Sequence, residues 1–296
     1  MISRVTNQTL AQSAQRNLQS GMAKLAHLQD QAATQQAITR PSDDPTAAAD
    51  SMRIRAEQRA TDQYGRNIDN GTGWLTTLDG ALATATDLMQ RVRDLTVRGA
   101  NGSLNGTAKE AIAVEIEGLK KDLAAQANTT YLGRTVFAGT SDAGVAFRPD
   151  GTFTGNGTPV ERRIGPNSTV RVDAHGAEVF GEDTATTMSV FTLLDKIAAD
   201  LRDPAANAGS RLAAVDQRLD AITGAHADVG VRHALLQQAE EANLDQKVAL
   251  EAQRTGVEDV DLSKVILDLK LQEVSYQSAL AVTARVLQPT LMDFLR

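Results

Sequence analysis

The 296-residue chain contains no cysteine. That excludes disulfides, thiolate metal sites and cysteine nucleophiles together. Aromatic residues make up only 3% of it. Compact enzyme cores lean on Phe, Tyr and Trp for buried area, so this scarcity suits long thin helical layers better than a thick globule. No apolar run is long enough to span a bilayer or to serve as a Sec signal, and neither is expected. The formal charge is −7, and Lys and Arg do not cluster, which argues against binding nucleic acid by phosphate neutralisation. A P-loop, a G-x-S-x-G elbow and an H-E-x-x-H pair are also missing. No cofactor is expected.

What is present is helical periodicity. Ala14, Leu18, Gly21, Leu25, Leu28 and Ala32 follow a 3-4 spacing, the pattern of a seam along which one helix packs on another. Near the other end Leu262, Val265, Leu269, Gln272, Tyr276, Ala279, Thr283 and Val286 do the same, beside a neighbouring stripe of Ile266, Leu280 and Leu287. Gly21, Gln272 and Thr283 are poor knobs, so each seam reads as half of something that needs a partner. Inside these ends a second helical layer is expected. It comprises Trp74 to about Gly99, a helix opened by Thr107 with Glu110 at capping-box spacing, about Thr187 to Leu201, and about Ser210 to Thr255.

The middle differs. From Gly133 to about Gly181 Gly and Pro are dense, PDG and GNG signal turns, and the runs TVFAG and TVRVDA read as strands. The expected fold is mainly α with a small β-rich insert. Long antiparallel helices from both termini pack as a bundle or coiled coil, and the β part lies at the far end. The expected domains are 1–45 with 255–296 (terminal, assembly), 46–132 with 187–254 (inner bundle), and 133–186 (outer insert).

One short stretch invites a chemical reading. In RPSDDP two adjacent carboxylates, Asp43 and Asp44, lie between Pro41 and Pro45. An acid–base or metal pair needs convergent His or carboxylate partners, and no histidine lies close in sequence. His226 and His233 are seven apart, whereas helical zinc pairs usually sit four apart. The favoured reading is an elbow. Pro41 disfavours helix at the residue before it, Asp44 caps the next helix, and Pro45 occupies a first position that needs no N–H.

RPSDDPTAAADSMRIR, NIDNGTGWLTTLDGALATATDLMQRVRDL and ANTTYLGRTVFAGT, together with the closing SYQSALAVTARVLQPTLMDFL, resemble the bacterial flagellin-like family. The resemblance covers roughly residues 1–140 and 190–296 and leans toward the family's hook–filament junction branch. It implies a flagellin-like architecture and a non-enzymatic structural subunit of the bacterial flagellum. Such a subunit would assemble as a ring of copies between hook and filament through its terminal helices. Implied partners are hook-associated protein 1 on the hook side, flagellin or filament on the distal side, and an export chaperone at the C-terminal helix. The implied location is extracellular, reached through the flagellar type III apparatus. Leu18, Leu25, Leu28, Leu269, Tyr276, Leu280, Val286 and Leu287 are the candidate assembly residues. The alternatives are a self-polymerising filament flagellin and, further off, a secreted enzyme or metal-binding protein.

Overall fold

A computed structural model describes residues 7–184 and 187–286. Its long helices are α1 (Asn7–Thr34), α2 (Pro45–Gly99), α3 (Gly106–Ala127), α5 (Val190–Arg202), α6 (Leu212–Glu258) and α7 (Leu262–Val286). A one-turn helix, α4 (Gly176–Val179), lies among the loops. No described helix is long and apolar enough to cross a membrane.

α2 is one unbroken helix of 55 residues, running straight through Gly71 and Gly73 in the stretch where the sequence suggested a fresh start. Those glycines serve close packing rather than a break. A Cβ on Gly71 would press on Leu236 and Val172, and one on Gly73 would collide with the Tyr131 hydroxyl. At α3 the expected capping box is not formed. Asn105 is the cap, its Oδ1 accepting from Ala108 N at 2.8 Å. Glu110 instead takes two hydrogen bonds from Arg202 of α5, whose remaining Nη1 reaches Glu117 at 2.5 Å. A cation with three forked donors outcompetes one backbone amide for a carboxylate.

The chain forms two compact units, one from residues 1–60 and 247–296, the other from residues 61–246. In the second, Leu75, Leu78, Leu82, Ala85, Met89 and Val92 of α2 are all buried. They meet a heptad-spaced row from α6, Val215, Ile222, Val229 and Leu236. The two helices run antiparallel here. Arg93 pairs with Asp216, His226 with Asp79, and Asn243 donates to Thr61 O. His226 thus has a carboxylate partner across the helix pair.

Strands are shorter than the sequence suggested. β1 (Thr130–Tyr131) and β2 (Arg134–Thr135) form one hairpin, β3 (Glu161–Arg163) and β4 (Thr169–Arg171) another. TVFAG therefore gives the sheet only Thr135, and TVRVDA only its first three residues. The rest is loop built on turn chemistry: Gly151 of PDG has φ +83°, and Asp150 Oδ1 accepts from Thr152 N. What holds this segment is aromatic. Phe137, Phe147, Phe153 and Phe180 pack together with Phe191 of α5, so every phenylalanine among the described residues sits in one cluster. The phenylalanines are concentrated, not spread.

The first hairpin turns on Leu132 and Gly133, at φ +49° and +79°. A two-residue turn of this type favours Asn before Gly, because an Asn side chain tolerates the left-handed region. Leu132 is also 78% exposed. Leu132→Asn is expected to stabilise the protein by about 1 kcal/mol or less, read as a higher urea midpoint.

Candidate functional site: the terminal helices and their elbows

In the first unit α1 and α7 pack along each other. The two sequence-derived seams close on one another within a single chain. Leu28 is buried, Ala14, Leu18, Gly21, Leu25 and Ala32 are half-buried, and so are Leu269, Gln272, Tyr276, Ala279 and Thr283, with Val265 buried. The poor knobs fit this pairing. Gly21 leaves room for the Tyr276 ring, whose Cδ2 would lie 3.4 Å from a Cβ there, and Gln272 Nε2 donates to Gly21 O at 3.3 Å. Among the candidate assembly residues, Leu18, Leu25, Leu28, Leu269 and Tyr276 therefore pack inside the subunit. Leu280 is exposed, Val286 ends α7, and Leu287 lies outside the described residues.

α7 has a second apolar face that the sequence reading did not single out. Leu267, Leu271, Val274 and Val282 follow a 4-3-8 spacing with Ser278 between the last two, half a turn away from the α1 seam. All are exposed, Leu271 at 61% and Val274 at 63%. Paired apolar stripes on opposite sides of one helix mark a helix with neighbours on both sides, and in this chain only one side is covered by α1. The signal was in the sequence as a second 3-4 stripe on the same helix.

The elbow begins where α1 ends at Thr34. Gln35 has φ +57°, reversing the chain, and residues 35–44 stay outside helix. Asp44 Oδ1 accepts from both Thr46 N and Ala47 N at 3.0 Å, with Pro45 first in α2. Asp43 has a separate task. Its Oδ2 accepts from Arg40 N at 2.9 Å and from the Thr39 hydroxyl at 3.1 Å, while Asp43 N donates back to Arg40 O. Desolvation tends to raise the Asp43 carboxyl, but the bonds from Arg40 and Thr39, with the charges of His27 and Arg40, hold it below its ordinary value. Both carboxylates are committed to the backbone of the elbow. Among the described residues no cluster of three His, Asp or Glu side chains suited to a metal is found. Asp44→Ala is expected to cost about 1 kcal/mol in urea unfolding, the usual value of an N-cap, whereas a catalytic or metal role would show as lost activity or metal uptake at unchanged stability.

The sequence gave less warning of a second elbow. α6 ends at Glu258 and α7 starts at Leu262, with Asp261 Oδ1 accepting from Ser263 N and Lys264 N. The two elbows pair. Gln36 and Asp259 form an antiparallel bridge, Ala37 N donates to Glu258 O at 2.7 Å, and Val260 N donates to Gln35 O at 3.3 Å. Glu258 itself is buried and accepts three side-chain bonds from α2. Ser51 Oγ donates at 2.5 Å, Arg55 Nε at 2.7 Å and Arg55 Nη2 at 2.9 Å. These bonds, Arg55's first, outweigh desolvation and lower its carboxyl below the ordinary range.

This has a pH consequence. A carboxyl with a depressed folded-state pKa contributes stability that is full above its unfolded value and disappears as pH falls through the folded one. Glu258, Glu110, Glu117 and Asp183 share the direction. The urea midpoint is expected to be flat from neutrality down to about pH 5 and to fall below it. Glu258→Gln should lower the neutral plateau and reduce the acid slope.

Residues 5–142 match the bacterial flagellin N-terminal helical region. The chain is similar to flagellar hook-associated protein 3 of Salmonella typhimurium, 22% identical over 93% of this chain and 94% of that one. It is also similar to flagellin FlaB2 of Treponema pallidum, at 26% identity over 86% and 85%. Among solved structures, that of FlgL from Bacillus cereus superposes with a TM-score of 0.59 at 24% identity, covering 69% of this chain and 99% of that one. That of flagellar hook-associated protein-3 from Legionella pneumophila gives 0.63 at 16% identity, over 69% and 98%.

Proposed function

We propose that this chain, similar over nearly its whole length to flagellar hook-associated protein 3 and matching the flagellin N-terminal helical region over residues 5–142, is a flagellar structural protein, a subunit of the junction between hook and filament that works by ring self-assembly through its terminal helices. The observation that carries the reading is the uncovered apolar face of α7, Leu267, Leu271, Val274 and Val282. A row of large apolar residues on a long amphipathic helix is the kind of surface that is buried in an assembled state. Association of several copies would bury this face at about 25 cal/mol per Å² of apolar area, so a modest stripe repeated around a ring suffices. Residues 1–45 and 255–296 make up the assembly layer, residues 46–132 with 187–254 the inner bundle, and residues 133–186 the outward-facing insert.

The junction assignment is supported by the near full-length correspondence with hook-associated protein 3 in two organisms. On this reading the neighbours are hook-associated protein 1 toward the hook and flagellin toward the filament. Export runs through the flagellar type III apparatus with a chaperone on the C-terminal helix, and the site of action is extracellular. A second reading, filament flagellin, is favoured by the long matches to flagellins of Treponema and Listeria. Deleting the gene in the source strain separates them. The junction reading expects motility lost, hooks retained and flagellin shed into the medium. Retained filaments, or open-ended polymerisation of the purified protein on filament seeds, would overturn it.

A further inference from the structure

Nothing in residues 258–262 themselves stops a helix. The run is Glu-Asp-Val-Asp-Leu, with no proline and no glycine, and Asp and Val are only mildly unfavourable inside a helix. Helical bonds run right up to the break from both sides, Asp259 N still donating to Thr255 O and Val265 N already donating to Asp261 O. A continuous helix would also bond Val260 N to Gly256 O and Leu262 N to Glu258 O. In the interrupted chain the first connector has taken one group from each of those bonds. Val260 N donates to Gln35 O, and Glu258 O accepts from Ala37 N.

The phase across the break is that of a single helix. Glu258 and Val265 are both buried and lie seven residues apart, two turns along nearly the same face. The α7 seam continues at the same interval through Gln272 and Ala279, both half-buried. α6 and α7 can therefore join without turning either buried face away. The first elbow has no such freedom, because Pro41 and Pro45 oppose a helix running through it.

We propose that residues 258–262 are a helix-fusing switch. While residues 35–37 hold Val260 N and Glu258 O, the helix is interrupted and Asp261 caps α7. When they let go, the freed groups close the helical ladder. α6 and α7 then become one rod of about 75 residues, about 110 Å long. The exchange is either-or at Val260, whose single N–H serves one acceptor at a time. A neighbouring copy that paired with the backbone of residues 35–37 would set the switch by its preference for the fused state. The switch is a property of the chain's own backbone and does not rest on the junction reading.

Backbone carbon shifts and amide exchange of the full-length monomer test it. Ala37→Pro removes the donor to Glu258 O, and Asp261→Ala removes the cap of α7. Combined, they are expected to move the Cα shifts of residues 259–261 from the non-helical into the helical range. The Leu262 amide, which as the first residue of α7 has no intrahelical acceptor, should slow in exchange by about tenfold or more. Adding Leu262→Pro should abolish both changes, because proline is tolerated at a first helical position but not inside a fused helix. Asp261→Ala alone leaves the first connector intact and should move the same shifts part of the way, so the test survives if the combined variant does not fold. Residues 259–261 that stay non-helical in the combined variant, or in Asp261→Ala where only that one folds, would overturn the proposal. So would helical shifts that persist with Leu262→Pro, since fusion would then not be their cause.

Discussion

Leu271→Glu combined with Val274→Glu is expected to abolish incorporation of the subunit into flagella while leaving the purified monomer's unfolding nearly unchanged. In the monomer both side chains are more than half exposed, and surface substitutions at such positions fall within about 0.5 kcal/mol. In a ring the same positions would be buried against a neighbouring copy. A carboxylate buried without a partner costs several kcal/mol. That cost is repeated at every subunit, two charges at a time. The contrast is with Tyr276→Ala, on the opposite face of the same helix. Tyr276 fills the space above Gly21, so its loss should loosen the α1–α7 pair in the monomer first and impair assembly only as a consequence. Co-sedimentation with hook basal bodies, scored beside thermal melts, reads both. If the double glutamate variant still assembles, the exposed face of α7 is not the contact surface.

The comparison between the two faces of α7 also shows what was legible in the sequence. The 3-4 spacing of Leu18, Leu25 and Leu28, and of Leu269 and Tyr276, announced seams, and seams are what these residues form. Periodicity says that a face is apolar but not whose surface covers it, since an intrachain partner and a second copy demand the same residue types. Five of the eight candidate assembly residues, Leu18, Leu25, Leu28, Leu269 and Tyr276, lie in the seam between α1 and α7, while Leu280 of the neighbouring stripe is exposed. The first elbow was legible because Pro41 and Pro45 are strong local signals and Asp44 is a strong cap. The second was read only as a boundary, with the inner helix ending at about Thr255 and the next seam opening at Leu262, because no proline or glycine stands between Glu258 and Leu262 to mark the turn itself. Its pairing with the first elbow rests on tertiary bonds with residues some 220 positions away in sequence, Gln35 and Ala37, and no local pattern carries that information. Glu110 fails as a capping-box member for the same reason, its real partner being Arg202. The strands of the insert were read as longer than they are, because alternating runs such as TVRVDA look alike whether three residues or six are paired.

The largest stability effect is expected in that insert. Phe147→Ala should destabilise the protein by about 3–5 kcal/mol, the cost of truncating a fully buried Phe to leave a cavity. Phe147 is 2% exposed and its ring lies 5.1–5.7 Å from those of Phe153, Phe180 and Phe191, so three aromatic pairs are lost along with the buried area. Collapse of the site is restrained because its backbone is pinned. Asn128, at the end of α3, accepts from Ala146 N and Phe147 N through Oδ1 and donates to Phe147 O through Nδ2. Loss of a few kcal/mol in a unit of this size lowers Tm by roughly 10 °C, which calorimetry resolves. Asn128→Asp keeps the two accepted bonds and loses the two donated ones, to Phe147 O and Ala124 O, so it should cost less than Phe147→Ala, on the order of 1–3 kcal/mol. Neither residue touches α7. If residues 133–186 serve as an outward-facing insert and the terminal helices do the assembling, a Phe147→Ala subunit grown at low temperature should still enter flagella, in contrast to the Leu271 and Val274 variant. Failure to assemble below its own Tm would mean that the insert takes part in subunit contact.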